Sequence, residues 1–214
     1  MFDKHKAKKA DEQYKSELEA WQSEHDELSS AFSAAQTRQG SPSSDIVLKR
    51  GEAAFATVSN AGLVEDRRGA GHYTGGSSGF SIPVGSVGGR SVRYRVGASR
   101  GHYVQGSLHP EAVDKGKLVI TNQRVVFVGT KKSIESQFAK LISANVDSGD
   151  LYLSVSNRQK VTRIHYGASL DGWMLLRLTL AMSICRGDSN QLATQLQAQL
   201  SELEAKRPQP PVLA

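Results

Sequence analysis

At 214 residues the chain can hold one medium domain with appendages or two small ones, and 38% hydrophobic residues is low for a chain that is compact throughout. One cysteine, Cys185, excludes an intramolecular disulfide and fits a reducing cytoplasm; the absence of a long uninterrupted apolar run predicts no transmembrane helix; the opening MFDKHKAKKADEQ has no apolar core of a secretory signal. The net charge of +6 is uneven: residues 67–140 hold twelve Lys/Arg against three acids, while residues 1–38 hold six basic and eight acidic residues. The basic half fits an acidic partner (anionic lipid, nucleic acid or an acidic protein) and equally a solvated surface.

Residues 5–36 read as one helix. Tyr14, Leu18, Trp21, His25, Leu28, Phe32 and Ala35 step alternately by four and three, a heptad seam broken in chemistry only at His25. So thin a stripe does not hold a long helix alone, so the seam must self-associate or pack on the rest of the chain. Trp21 is its expected anchor. Lys4, Lys6, Lys8 and Lys9 beside Phe2 read either as a basic membrane-surface anchor or as a solvated terminus. Residues 39–46 are a linker by composition, and a bend or bulge is expected near Gly62 in the first strands.

Residues 69–89 carry eight glycines without Walker or dinucleotide-binding spacing, and read as a surface excursion between strands. Gly71-His72-Tyr73-Thr74-Gly75 is echoed by Gly101-His102-Tyr103-Val104, which would form a polar aromatic cluster if the two meet. Between them Ser91–Val96 alternates, with Val92, Tyr94 and Val96 inward and Arg93 and Arg95 outward beside Arg90 and Arg100. This pattern fits a phosphate-binding face and equally an edge strand guarded by charge.

Short strands follow closely from Lys115 to Asn157. Leu118 and Ile120 share one face, Lys117, Val119 and Thr121 the other. Asn122 is expected to turn the chain by bonding its own backbone, and the all-apolar Arg124–Val128 strand should be covered on both faces. Lys131 and Lys132 lie at the next tip. Residues 151–156 and 161–166 are further strands. Residues 174–184 alternate and read as a last strand, ending with Cys185 at its edge, although Leu, Met and Ala suit a helix equally. Asp188 and Gln191 form a capping-box pattern for a closing helix with the stripe Leu192, Leu196, Leu200, Leu203, which the prolines from Pro208 onward end.

The phrase Gly116-x-Leu118-x-x-Thr121-Asn122-x-Arg124-x-x-Phe127-x-Gly129, with Gly51-Glu52 and Tyr94-Arg95-Val96-Gly97 upstream and Phe138–Ile142 after it, resembles bacterial GRAM-like domains with a pleckstrin-homology-type barrel. The resemblance implies an α+β fold: a small antiparallel PH/GRAM-like β-barrel closed by a C-terminal helix, preceded here by the long N-terminal helix. The expected organisation is a coiled-coil-like helix over 1–38, a linker over 39–46, the barrel with its closing helix over 47–207 and a proline-rich tail over 208–214.

The six histidines show no metal-ligand spacing, and no nucleophile elbow, Walker motif or paired carboxylates appear, so no enzyme, metal or cofactor is expected. The expected function is an adaptor that binds a protein partner or an anionic membrane surface, cytoplasmic or peripheral at the inner face of the membrane. Arg90, Arg93, Arg95, Arg100, Lys131 and Lys132 are the candidate anion- and lipid-binding residues. Tyr14, Leu18, Trp21, Leu28 and Phe32 form the interaction helix. Nucleic-acid binding by the basic half, with Tyr73, Tyr94 and Tyr103 for stacking, is the alternative, and a hydrolase or transferase using the glycine-rich stretch is a third.

Overall fold

The computed structural model describes residues 2–43, 45–70, 72–87 and 90–211, and the side chains of 9–43, 45–70 and 105–211. In chain order the elements are α1 (Phe2–Thr37), β1 (Ala54–Arg68), β2 (His72–Val87), β3 (Arg90–Val104), β4 (Leu108–Thr121), β5 (Arg124–Gly129), β6 (Ser133–Gln137), β7 (Leu141–Asp147), β8 (Asp150–Val155), β9 (Thr162–His165), α2 (Asp171–Arg186) and α3 (Ser189–Ala205). The chain divides into two compact units, one of residues 1–64 with 112–214 and the other of residues 65–111.

In the first unit seven strands form one sheet in the order β6-β5-β4-β1-β9-β8-β7. Its edges are β6 and β7, so the sheet is open, whereas a closed barrel was expected. Antiparallel pairing follows the alternation of the sequence. Leu118 faces Phe127 and Ile120 faces Val125 across β4 and β5, and all four are buried in the core. Val119 pairs with Val126 on the opposite face, and both are buried as well.

The segment 45–52 explains that second cover. It crosses the outer face of β4, β5 and β6 and is bonded at each strand: Asp45 to Lys117, the Val47 carbonyl to Arg124, and Lys49 to Glu135 at 2.7 Å. Ser41 and Ala54 also exchange backbone hydrogen bonds of 2.8 and 3.1 Å. The stretch that composition marks as a linker is thus tied down at both ends.

The seam of α1 packs within the unit. Ala31 and Ala35 are fully buried, Leu28 and Phe32 pack against the core, and Tyr14, Leu18, Trp21 and His25 are half-buried. The Trp21 indole donates to the Leu203 carbonyl of α3 at 2.8 Å, while its ring stacks on His25 at 5.0 Å and lies under the Arg207 guanidinium at 5.4 Å. Within the chain the closing helix is the cover that Trp21 meets.

Two local expectations need correction. Residues 174–184 lie in helix α2, not in a strand: Met174, Leu178 and Ala181 recur at helical spacing on the buried face, and Asp171 lies in the first turn. Gly187 at φ 84° ends this helix with a left-handed cap, and Cys185 is exposed in its last turn. Asp188 precedes α3 without any side-chain capping bond; its carbonyl accepts the Gln191 N–H instead, so the capping box does not form. In β1 an irregularity falls near Gly62 as expected: Asn60 lies in the left-handed region at φ 60°, and Ser59 and Asn60 are exposed in succession.

The second unit holds the two-stranded antiparallel sheet of β2 and β3. The glycine-rich stretch is therefore strand rather than a loop, with Gly75 opposite Gly101 and Gly79 opposite Gly97. The echoed phrases meet in register, Tyr73 opposite Tyr103 and Thr74 opposite His102. Tyr94–Gly97, which the resemblance assigns to the barrel, belongs to this separate sheet.

Candidate functional site

The β4–β5–β6 corner concentrates the motif residues, and its chemistry begins with Thr121. The Thr121 hydroxyl accepts the backbone N–H of Gln123 at 3.1 Å and of Arg124 at 3.0 Å, which closes the turn. Asn122 was expected to do this, but its side chain reaches a distant segment: Oδ1 accepts the Ala53 N–H at 3.0 Å and Nδ2 donates to the Gly51 carbonyl at 3.0 Å.

Arg124 forms a bidentate pair with Glu52, Nε to Oε1 at 2.7 Å and Nη2 to Oε2 at 2.9 Å, and donates through Nη1 to Glu135 at 2.6 Å. Its side chain is 9% exposed and that of Glu52 is fully buried. Glu52 also accepts from the Lys49 N–H at 2.6 Å and the Thr121 hydroxyl at 2.7 Å. Burial raises the Glu52 pKa, but the bonds from Arg124, Lys49 and Thr121 outweigh it and hold the group below its ordinary value. Gly51-Glu52 and Thr121-Asn122-x-Arg124 are one bonded unit in which the two charges answer each other.

The opposite end of the same hairpin is a basic tip. Asp114, buried at 5% exposure, accepts the N–H groups of Lys115 (2.8 Å), Thr130 (3.2 Å), Lys131 (2.8 Å) and Lys132 (2.8 Å), together with the Thr130 hydroxyl (2.7 Å). These bonds overcome burial and hold the carboxyl far below the usual range, so it stays ionised. Gly129 is required here: a Cβ at that position would run into the Asp114 carboxylate. The arrangement fixes the backbone of the turn and leaves the side chains of Lys115, Lys131 and Lys132 exposed together.

Of the sequence candidates, Lys131 and Lys132 lie at this tip. Arg90, Arg93, Arg95 and Arg100 lie on β3 in the second unit, and their side chains, like those of Tyr73, Tyr94 and Tyr103 and of the N-terminal lysines up to Lys8, fall outside the described residues. Sequence reasoning missed Asp114 and Lys115. The only signal for them is that an acid stands at the position before a Lys-Gly pair in an otherwise basic stretch.

A second polar cluster joins β8, β9 and α2. Buried Asp150 accepts Arg163 at 2.6 and 3.0 Å and lies 3.0 Å from His165 Nδ1. Asp171 accepts the Tyr166 hydroxyl at 2.6 Å and the Gly149 N–H at 3.0 Å, and burial followed by this bond raises the Tyr166 pKa. Both carboxylates are engaged in holding strand ends. Among the described residues no group of three or more His, Cys, Asp and Glu is placed to hold a metal ion.

A groove of about 770 Å³ lies among α1, α2 and α3, lined by Leu28, Trp173, Leu176, Leu192 and Leu196. Set against protein-family models, curated proteins and solved structures, the chain matches none of them.

Proposed function

We propose that the chain is a non-enzymatic interaction module built on a GRAM/PH-like barrel, whose β4–β5–β6 tip binds an anionic surface at the cytoplasmic face of a membrane. The observation that carries the reading is the Asp114 clamp. Five hydrogen bonds to one buried carboxylate fix a turn whose outward features are Lys115, Lys131 and Lys132. A fixed basic protrusion meets a charged surface without first ordering its backbone. The barrel reading is supported by a contact that draws the two halves of the sheet together: Arg158, just after β8, donates to the Glu135 carbonyl of β6 at 2.7 Å. It is also supported by a helix that follows the last strand directly, as the resemblance implies.

Vesicle flotation tests the reading. The full chain should float with phosphatidylserine vesicles at low salt and remain below neutral ones, and Lys115→Glu/Lys131→Glu/Lys132→Glu should remain below both. Retention of duplex DNA in a mobility shift at the same salt, with no flotation, would replace the membrane reading by the nucleic-acid one.

A further inference from the structure

By length and mean hydropathy the stretch Ala168–Arg186 is apolar enough to cross a membrane, which the sequence reading did not expect, yet only 22% of it is buried. An all-round apolar helix normally has a cover on every face. On α2 the core side is covered through Met174, Leu178, Leu180 and Ala181, whereas the side around Gly172, Leu175 and Thr179 is exposed, with Leu175 at 56%. That side opens into the groove of about 770 Å³ between α1 and α3. Its floor is Leu28, Trp173, Leu176 and Leu196.

The charge of the walls decides what fits. The titratable groups in the lining are Glu24 and Glu27 of α1, and no basic residue lines the groove. Glu27 is paired with Arg177 of α2, whose guanidinium also lies 5.8 Å from the Trp173 ring centre. Glu24 is exposed, and Glu17 continues the same stripe of α1 toward its N-terminus. The polar side chains of the α3 wall are the neutral Gln195 and Gln199. An anionic lipid surface is repelled by such a wall, and an uncharged acyl chain gains nothing from it.

We propose that the groove among α1, α2 and α3 is a docking site for an amphipathic helix of a partner protein, with an apolar row that fills the groove and lysine or arginine flanking it toward Glu24 and Glu17. This is the helix-in-groove mode, in which apolar anchors supply affinity and flanking charge sets orientation and partner choice. The site is independent of the lysine tip.

The probe is a short synthetic helix of leucine and lysine at amphipathic spacing, with a counterpart in which glutamate replaces lysine. Binding to the full chain is followed by fluorescence anisotropy. The lysine peptide should bind and the glutamate peptide should not. Leu175→Glu and Glu24→Lys, both at exposed positions, should each weaken binding by about tenfold or more, with vesicle flotation and mass by light scattering unchanged. Equal affinity for the wild type and Leu175→Glu overturns the proposal. So does loss of vesicle binding in Leu175→Glu, which would give the face to lipid, and so does a wild-type dimer that Leu175→Glu splits, which would give it to a second copy.

Discussion

Arg124 and Glu52 lie 72 residues apart and form a buried bidentate ion pair. The pair fastens the strap before β1 to the turn between β4 and β5. Removing one partner of a buried pair strands the other charge, at a cost of about 3–5 kcal/mol. Glu52→Gln and Arg124→Met should each lower the unfolding free energy from urea titration by that order. The double variant should recover part of the loss, since neither charge is then left alone. A double variant whose loss is the sum of the two single losses would show that the residues act separately.

Acid should loosen the same strap. Glu135 is held down at a pKa of about 2, chiefly by its bond from Lys49, against burial and with help from Gln137 and Arg124; Glu52 is also lowered. A depressed carboxylate contributes stability that is present above its unfolded value, near 4.5, and is lost as pH falls toward the folded value. The denaturation midpoint should therefore be level above pH 5 and fall between about pH 4.5 and 2. In Glu135→Gln the fall should be shallower, which chemical denaturation at half-unit pH steps would detect.

Asp114 should matter to the tip more than to the fold. Asp114→Ala leaves the N–H groups of Lys131 and Lys132 without an acceptor. Amide exchange at these two positions should speed up sharply while the β8–β9 amides keep their protection. Vesicle affinity should fall even though every lysine is still present, because the turn must be ordered on binding.

The register of β4 and β5 was legible because strict alternation allows one pairing that buries Leu118, Ile120, Val125 and Phe127 together. The α1 seam was legible for the same kind of reason. Asn122 was misread because a turn residue's local bond and a bond to a segment 70 residues away leave the same mark in sequence. Helix α2 was misread because its residues are apolar on nearly every side, and a run of Leu, Met and Ala satisfies a period of two as readily as 3.6. Glycine is depleted in strands on average, so β2 was taken for a loop; its register against β3 depends on a partner that composition does not reveal.

For α1 the structure predicts an intramolecular cover. Leu18→Asp/Trp21→Asp puts charge on the seam and removes the Trp21 bond to Leu203. Amides of α1 should exchange faster while mass by light scattering stays constant. Trp21→Ala alone should cost about 2 kcal/mol, roughly half of a fully buried aromatic, since the ring is half-exposed. A fall in mass in the double variant would show instead that the seam joins two chains.

The most direct test of the proposed function is the partition coefficient of the full chain onto vesicles of rising phosphatidylserine content, measured at several salt concentrations. Each basic side chain near an anionic surface contributes about 1 kcal/mol, so three act as about two orders of magnitude in partition. Lys115→Gln/Lys131→Gln/Lys132→Gln should lower the partition by about that factor, and raising the salt should bring the wild type down to the variant. A wild type that does not partition at low salt, or a triple variant that partitions equally well, would contradict the account.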